Sequence, residues 1–198
     1  MMKRKIVAFD FDGTLTSKDT FVAFIRFTFG GRALLMGFLR YTLQLALMMV
    51  HLYPNGKAKE LVFGHFFRGM TIDDFNALCH EFAESNRSQL LRPGGIETLA
   101  KAEADGAEVL IISASVDNWV QQFFPRVKVL GTQVEVEDGR LTGRFLSDNC
   151  FGQEKVNRLL ALYPNREDYH LTAYGDSQGD KELLAFADES HFKPFRTI

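Results

Sequence analysis

The apolar run Ile6-Val-Ala-Phe9 ends on two aspartates, Asp10 and Asp12, and that junction restricts the fold more than any other stretch. The run predicts a buried strand. Acids two residues apart on extended backbone project from the same side. Gly13 then permits a sharp turn, and Thr14 can bond back to it. Two carboxylates aimed at one point repel each other, and burying them unpaired is costly. Something positive must sit at the end of this strand, most simply a divalent metal.

Two further apolar runs repeat the arrangement. Glu108-Val-Leu-Ile-Ile112 leads into Ser113, and Leu171 to Tyr174 leads into Gly175-Asp176. Helical patterns lie between and after them: Ile96 to Ala104, Val116 to Phe124, Lys155 to Leu162 and Asp180 to Ala187. A short strand is expected near Val127 to Leu130, and Thr132 to Phe145 alternates around Glu137-Asp-Gly139, a hairpin signal. Strands alternating with helices predict an α/β fold, a Rossmann-like parallel sheet carrying a small β-hairpin. Such sheets bind ligands beyond the carboxyl ends of their strands. Asp10, Ser113 and Asp176 all fall there.

Residues 16–92 have a different character, with four helical patterns and no strand. Phe21 to Phe29 is expected to be stopped by Gly30-Gly31. A longer helix is expected from Ala33 to about Tyr53, ending before Pro54-Asn-Gly56. Lys57 to Phe67 and Ile72 to near Leu90 complete the set, the last capped by Thr71. This divides the chain into an α/β core, residues 1–15 with 93–198, and an inserted all-helical cap, residues 16–92. The cap is expected to choose the substrate and to open and close over the site.

A carboxylate nucleophile suits phosphoryl transfer, because an acyl-phosphate forms and breaks easily. A phosphoryl group is itself negative, so its charge must be offset before a carboxylate approaches. A magnesium ion on Asp10 and Asp176, supported by Asp180, would do so. Lys155 would hold phosphoryl oxygens as a point charge, and the Ser113 hydroxyl would donate to one of them. Ser115 is the alternative for that role. Asp12 would protonate the leaving alkoxide and then deprotonate the attacking water.

These residues resemble the four signature motifs of the haloacid dehalogenase superfamily: Asp10-Phe-Asp-Gly-Thr-Leu15, Ile-Ile-Ser113, Lys155 and Gly175-Asp-Ser-Gln-Gly-Asp180. The helical insertion after the first motif is similar to the branch containing phosphoserine phosphatase. Ile112-Ser-Ala-Ser115, Asp138-Gly-Arg-Leu-Thr-Gly143 and Asn149-Cys-Phe-Gly-Gln-Glu-Lys155 resemble the subgroup that includes phosphatidylglycerophosphatase C. The resemblance implies a magnesium-dependent phosphomonoesterase working through an aspartyl-phosphate. Its catalytic groups would be Asp10, Asp12, Ser113 and Lys155, and its metal set Asp10, Asp12, Asp176 and Asp180. The superfamily's dehalogenases lack the second aspartate as acid/base, and its ion pumps carry threonine there with many membrane spans. Asp12 separates this chain from both, while a phosphomutase shares the aspartate pair. A phosphate- or lipid-binding module without catalysis is the rival from another class. Phosphoserine itself fits less well, because Gly13 and Asp19 stand where the serine-specific enzymes typically carry serine and glutamate.

The stretch Ala33 to Val50 is nearly apolar and about as long as a membrane span. Arg40 near its middle would cost about 2.5–3.5 kcal/mol in a bilayer. One crossing would also put Asp10 and Ser113 on opposite sides of the membrane. The stretch is therefore expected inside the cap or in a membrane interface. On one continuous helix, Arg40, Gln44, Leu47 and His51 fall within about 60° of each other. That stripe, with Asp19, supplies the candidate substrate contacts, and a lipid-linked phosphate is the preferred substrate over a small soluble ester.

A net charge of -2 gives no electrostatic reason to expect nucleic acid. Cys79 and Cys150 are far apart and form no CxxC pair, which argues against a disulfide framework or a zinc site. Met1-Met-Lys-Arg-Lys5 runs straight into the first strand, leaving no room for a cleavable signal. A cytoplasmic protein is expected, with peripheral association at the inner face of the membrane left open.

Overall fold

The computed structural model describes residues 3–50 and 52–196. Strand β1 (Arg4–Phe9) forms from the first apolar run, and its alternation sorts side chains between two layers. Ile6 and Ala8 enter one core, and Phe9 enters the other. β2 (Glu108–Val116) and β6 (Tyr169–Gly175) flank β1, with β3 (Lys128–Thr132) and β7 (Glu189–Phe192) outside them. All four pairings are parallel, in the order β3-β2-β1-β6-β7. Phe9 pairs with Ile111 on one side and Tyr174 on the other. Asp10 and Asp176 consequently leave the sheet side by side, with Ser113 beside them inside β2.

β7 is not foreseen from the sequence. Its residues Glu-Ser-His-Phe are short of apolar alternation and largely exposed, as an edge strand's are. Helices α7 (Gln153–Leu162) and α8 (Lys181–Phe186) cover one face with Val156, Leu159 and Leu183. α5 (Pro93–Ala104) and α6 (Asp117–Phe123) cover the other. The hairpin of β4 (Val134–Glu137) and β5 (Arg140–Phe145) turns through Asp138 and Gly139 at φ 49° and 72°.

The inserted segment leaves and returns at adjacent points, where Thr16 bridges Leu91. Its helices are α1 (Thr20–Arg40), α2 (Thr42–Met49), α3 (Asn55–Phe67) and α4 (Ile72–Leu90). Asp19 caps α1 by accepting from the Val22 amide at 3.0 Å, and Thr71 caps α4 through the Asp74 amide at 3.1 Å. Gly30 breaks α1 with φ 81° and ψ 166°. The expected single helix to Tyr53 breaks again at Tyr41, with φ -109° and ψ 19°. The Thr42 hydroxyl takes the Phe38 and Leu39 carbonyls at 3.1 and 2.9 Å, competing with the helical ladder.

The base of the inserted helical segment packs directly against the α/β core. Phe24 of α1 stacks near Trp119, centroids 5.0 Å apart, and Phe82 of α4 meets Phe123 edge-on at 5.7 Å. Each such pair contributes roughly 0.5–1.5 kcal/mol beyond burial. Arg87 donates to the Phe123 and Gln122 carbonyls at 2.5 and 2.9 Å. The hairpin adds Leu141 N to Met70 O and Ile72 N to Gly139 O, both 2.9 Å. Cap base and sheet thus share one hydrophobic core.

Candidate active site

The chain turns at Gly13 with φ 81°, a conformation that favours glycine. A β-carbon there would collide with the Asp176 carboxylate, so the same glycine lets the first turn close on the last one. Asp10 is 5 % exposed. Its Oδ1 accepts from Lys155 Nζ at 2.6 Å and its Oδ2 from the Thr14 hydroxyl at 3.0 Å. Burial pushes its carboxyl up to about 7, against the pull of Lys155, with Asp180 and Asp12 adding repulsion.

Lys155, on the first turn of α7, is 1 % exposed. All three of its protons are used: Asp10 Oδ1 and Asp180 Oδ1 at 2.6 Å, and Ile112 O at 2.8 Å. Burial disfavours its charge, but the two carboxylates outweigh that and hold the ammonium protonated. Asp180 is saturated on its other oxygen by the Asp176 and Ser177 amides and the Ser177 hydroxyl. Burial raises its carboxyl, and Lys155 with these donors reverses that to a net depression.

Oxygens of Asp10, Asp176 and Asp180 lie within 4.8 Å of one another. Asp176 Oδ2 accepts a hydrogen bond from the Arg196 guanidinium, but its Oδ1 is buried with no hydrogen-bond partner among the described residues. An orphaned buried carboxylate oxygen beside two other acids is the donor set of a hard divalent cation.

Asp12 does not join that cluster. Its Oδ1 accepts from the Thr20 amide at 2.7 Å and its Oδ2 from the Ser115 hydroxyl at 2.5 Å. The Asp12 side chain thus points to the cap junction, and its carboxylate oxygens stand apart from those of Asp10, Asp176 and Asp180. Burial and the nearby Asp19 charge raise its carboxyl above the ordinary range. Ser113 is fully buried, and its hydroxyl accepts from the Ser115 amide at 3.0 Å, while Ser115 holds Asp12.

Residues 7–185 match the haloacid dehalogenase-like hydrolases. The chain belongs to that family. Protein CicA of Caulobacter vibrioides is 38% identical over 196 residues, covering 96% of this chain and 86% of CicA. A Bordetella pertussis protein of unknown function superposes with a TM-score of 0.83 at 20% identity, covering 96% of this chain and 89% of its own. A phosphoserine phosphohydrolase-like protein of Francisella tularensis gives 0.65 at 16% identity, with 94% and 85% covered. Those two likenesses are of fold.

In this hydrolase the acids floor a cavity of about 440 Å³. Phe21, Phe38, Met48 and Val62 of the cap wall it, and Asp19 borders it. Arg40 is exposed and Gln44 half-buried, and neither lines the cavity; the break at Tyr41 takes Arg40 off the shared helix face. His51 lies outside the described residues.

Two cations were not singled out in the sequence. Lys59 of α3 borders the cavity and donates to the Ala114 carbonyl at 2.8 Å, with its ammonium 5.1 Å from the Phe21 ring centroid. Burial lowers its affinity for a proton, and Asp12, Asp19 and Asp10 oppose that. No motif marks Lys59, and only the folded cap brings it to β2. Arg196 reaches Asp176 because Phe195 stacks on Tyr174, centroids 5.5 Å apart. Cys79 and Cys150 are buried and unpaired, and burial pushes the Cys150 thiol up to about 11.

Proposed function

We propose that this hydrolase is a magnesium-dependent phosphomonoesterase that works through an aspartyl-phosphate on Asp10. The observation that carries the reading is the unpartnered Asp176 Oδ1 beside Asp10, at the point where Lys155 already neutralises one carboxylate. Asp10 and Asp176 would hold the ion; when bound, magnesium supplies the positive charge that offsets the phosphoryl oxygens.

The chain's own groups account for the rest. Asp10 Oδ2 attacks phosphorus while the bond from phosphorus to the ester oxygen breaks. Asp12, with its raised proton affinity, gives its proton to the departing alkoxide. The resulting Asp12 carboxylate takes a proton from water as the water attacks phosphorus, releasing phosphate and restoring Asp10. Ser115 and the Thr20 amide hold Asp12 for both transfers. Lys155 fixes Asp10 and keeps charge balance throughout. Ser113 supports the Ser115 turn, and the adjoining Ala114 lines the cavity.

For the substrate, the apolar cap wall favours a phosphate ester with a hydrocarbon portion, such as a lipid-linked phosphate. Asp19 at the cavity edge favours the second reading, an ester carrying an amine, such as phosphoserine. The two free, buried cysteines agree with a reducing, cytoplasmic setting. The test is phosphate release from p-nitrophenyl phosphate with and without magnesium, followed by a panel of amino-acid, sugar, nucleotide and lipid phosphates. Turnover that ignores magnesium, or ligand binding with no hydrolysis, would overturn the proposal.

A further inference from the structure

The outer half of α1 and one face of α2 display apolar side chains to solvent. Leu35, Met36, Leu39, Leu43, Met49 and Val50 are each at least 59 % exposed. Arg32, Leu35, Met36 and Leu39 recur at helical spacing and occupy one face. The opposite face of α1 is the packed one: Gly37 is buried where a β-carbon would collide with the Phe66 ring of α3. On α2, Leu43, Ala46, Met49 and Val50 are exposed, and Gln44, Leu47 and Met48 are half-buried. Two consecutive helices thus carry apolar surface that their own core does not use. Soluble monomers rarely expose a contiguous patch of this kind without a partner.

Charge identifies the partner. Between Asp19 and Glu60 there is no acidic residue, while Arg26, Arg32, Arg40, Lys57 and Lys59 are basic. Arg32 and Arg40 bracket the apolar face, and both are exposed. An apolar face rimmed by cations and free of carboxylates is the pattern of an interfacial helix on anionic lipid. A second copy of this chain fits poorly, because a two-fold contact would set these arginines against each other with no acid between them. α1, at 21 residues, is long and apolar enough to cross a bilayer, but Phe21, Phe24 and Ile25 of its first half are buried in the protein's own core. Gly30 and Tyr41 divide the stretch, and α2 has 8 residues, whereas a span needs about 20.

We propose that this face of α1 and α2 is a docking surface for an anionic lipid bilayer, with both helices lying in the interface plane. Phe38 and Met48, from the same two helices, wall the cavity above Asp10, so docking sets the membrane at the cavity's rim. The docking does not depend on the phosphatase reading. In a sedimentation assay the protein is expected to pellet with vesicles of phosphatidylcholine and phosphatidylglycerol, and not with phosphatidylcholine alone. Added salt weakens the association, and Arg32→Gln weakens it about fivefold, the contribution of one cation near such a surface.

The double variant Leu39→Asp, Leu43→Asp loses vesicle binding, while its circular dichroism and its rate on p-nitrophenyl phosphate match the unaltered protein. Failure to sediment, equal binding to neutral vesicles, or undiminished binding of the double variant would overturn the proposal. A dimer in light scattering that the double variant abolishes would overturn it in favour of a second copy. Absent hydrolysis by the unaltered protein would count against the phosphatase reading alone.

Discussion

The Ser115 hydroxyl donates to Asp12 Oδ2 at 2.5 Å, and Ser113 fixes the Ser115 amide from behind at 3.0 Å. A donor to a carboxylate favours its ionised form, opposing the burial that raises Asp12. Ser115→Ala therefore raises the Asp12 pKa further. Asp12 must be ionised to activate water, so the acid limb of the pH–rate profile moves to higher pH. A bond to a charged group is worth about 1.5–3 kcal/mol, so the rate on that limb falls roughly 10- to 100-fold. Steady-state rates against pH measure this; an unmoved limb would leave Ser115 with a structural role only.

Asp10 sets a pH dependence of stability. Its carboxyl is pushed up to about 7 when folded, from 3.8 for the free side chain. Between these values the folded protein binds a proton that the unfolded chain has released. Without metal, stability therefore falls as pH rises through that window, by up to about 4 kcal/mol, and levels off above it. Asp180 runs the other way: its depressed carboxyl stabilises above the unfolded value, and that contribution is lost at more acid pH. Thermal melts at pH 5 and pH 8 should show magnesium stabilising the protein far more at pH 8. Equal stabilisation at both would separate the ion from Asp10.

Gly13→Ala puts a β-carbon into the Asp176 carboxylate on backbone at φ 81°. The left-handed conformation alone costs roughly 1–2 kcal/mol for a residue with a side chain. The variant should fold with a lower melting temperature, and titration calorimetry should find magnesium bound at least tenfold more weakly. Unchanged magnesium affinity would mean that the Gly13 approach does not shape the metal site.

Lys59 is the cap cation that reaches the end of β2, through the Ala114 carbonyl. Lys59→Met removes positive charge from the cavity without touching Asp10 or Asp176. KM for an anionic ester rises by about tenfold, the loss of one charge-assisted bond, and kcat changes less. A fall in kcat with KM unchanged would place Lys59 in the chemical step instead.

The strand ends were legible because each is an apolar run stopping at a polar residue, a local signal that needs no tertiary information. Asp10, Ser113 and Asp176 could be grouped from that alone, whereas Asp180, at a helix start, is marked by the Gly175-Asp-Ser-Gln-Gly-Asp180 motif. Ser115 could not be told from Ser113 in the same way, since β2 continues through Val116 and the choice depends on how Asp12 turns toward Thr20. Tyr41 breaks its helix because Thr42 captures two carbonyls, a competition that hydrophobic periodicity does not register. Lys59 and Arg196 arrive from elements far away in sequence, and β7 lacks the apolar content that marks a strand. The packed cap base is likewise a product of tertiary structure, in rings that read from sequence only as a phenylalanine-rich stretch.

The most direct test is to quench turnover in acid and locate the phosphoryl group by mass spectrometry. During turnover with magnesium, the peptide carrying Asp10 should gain one phosphoryl group, more of it in Asp12→Asn, where hydrolysis of the intermediate is slowed. Asp10→Asn should gain none and should not turn over. A phosphoryl group on another residue, or full activity in Asp10→Asn, would contradict the account.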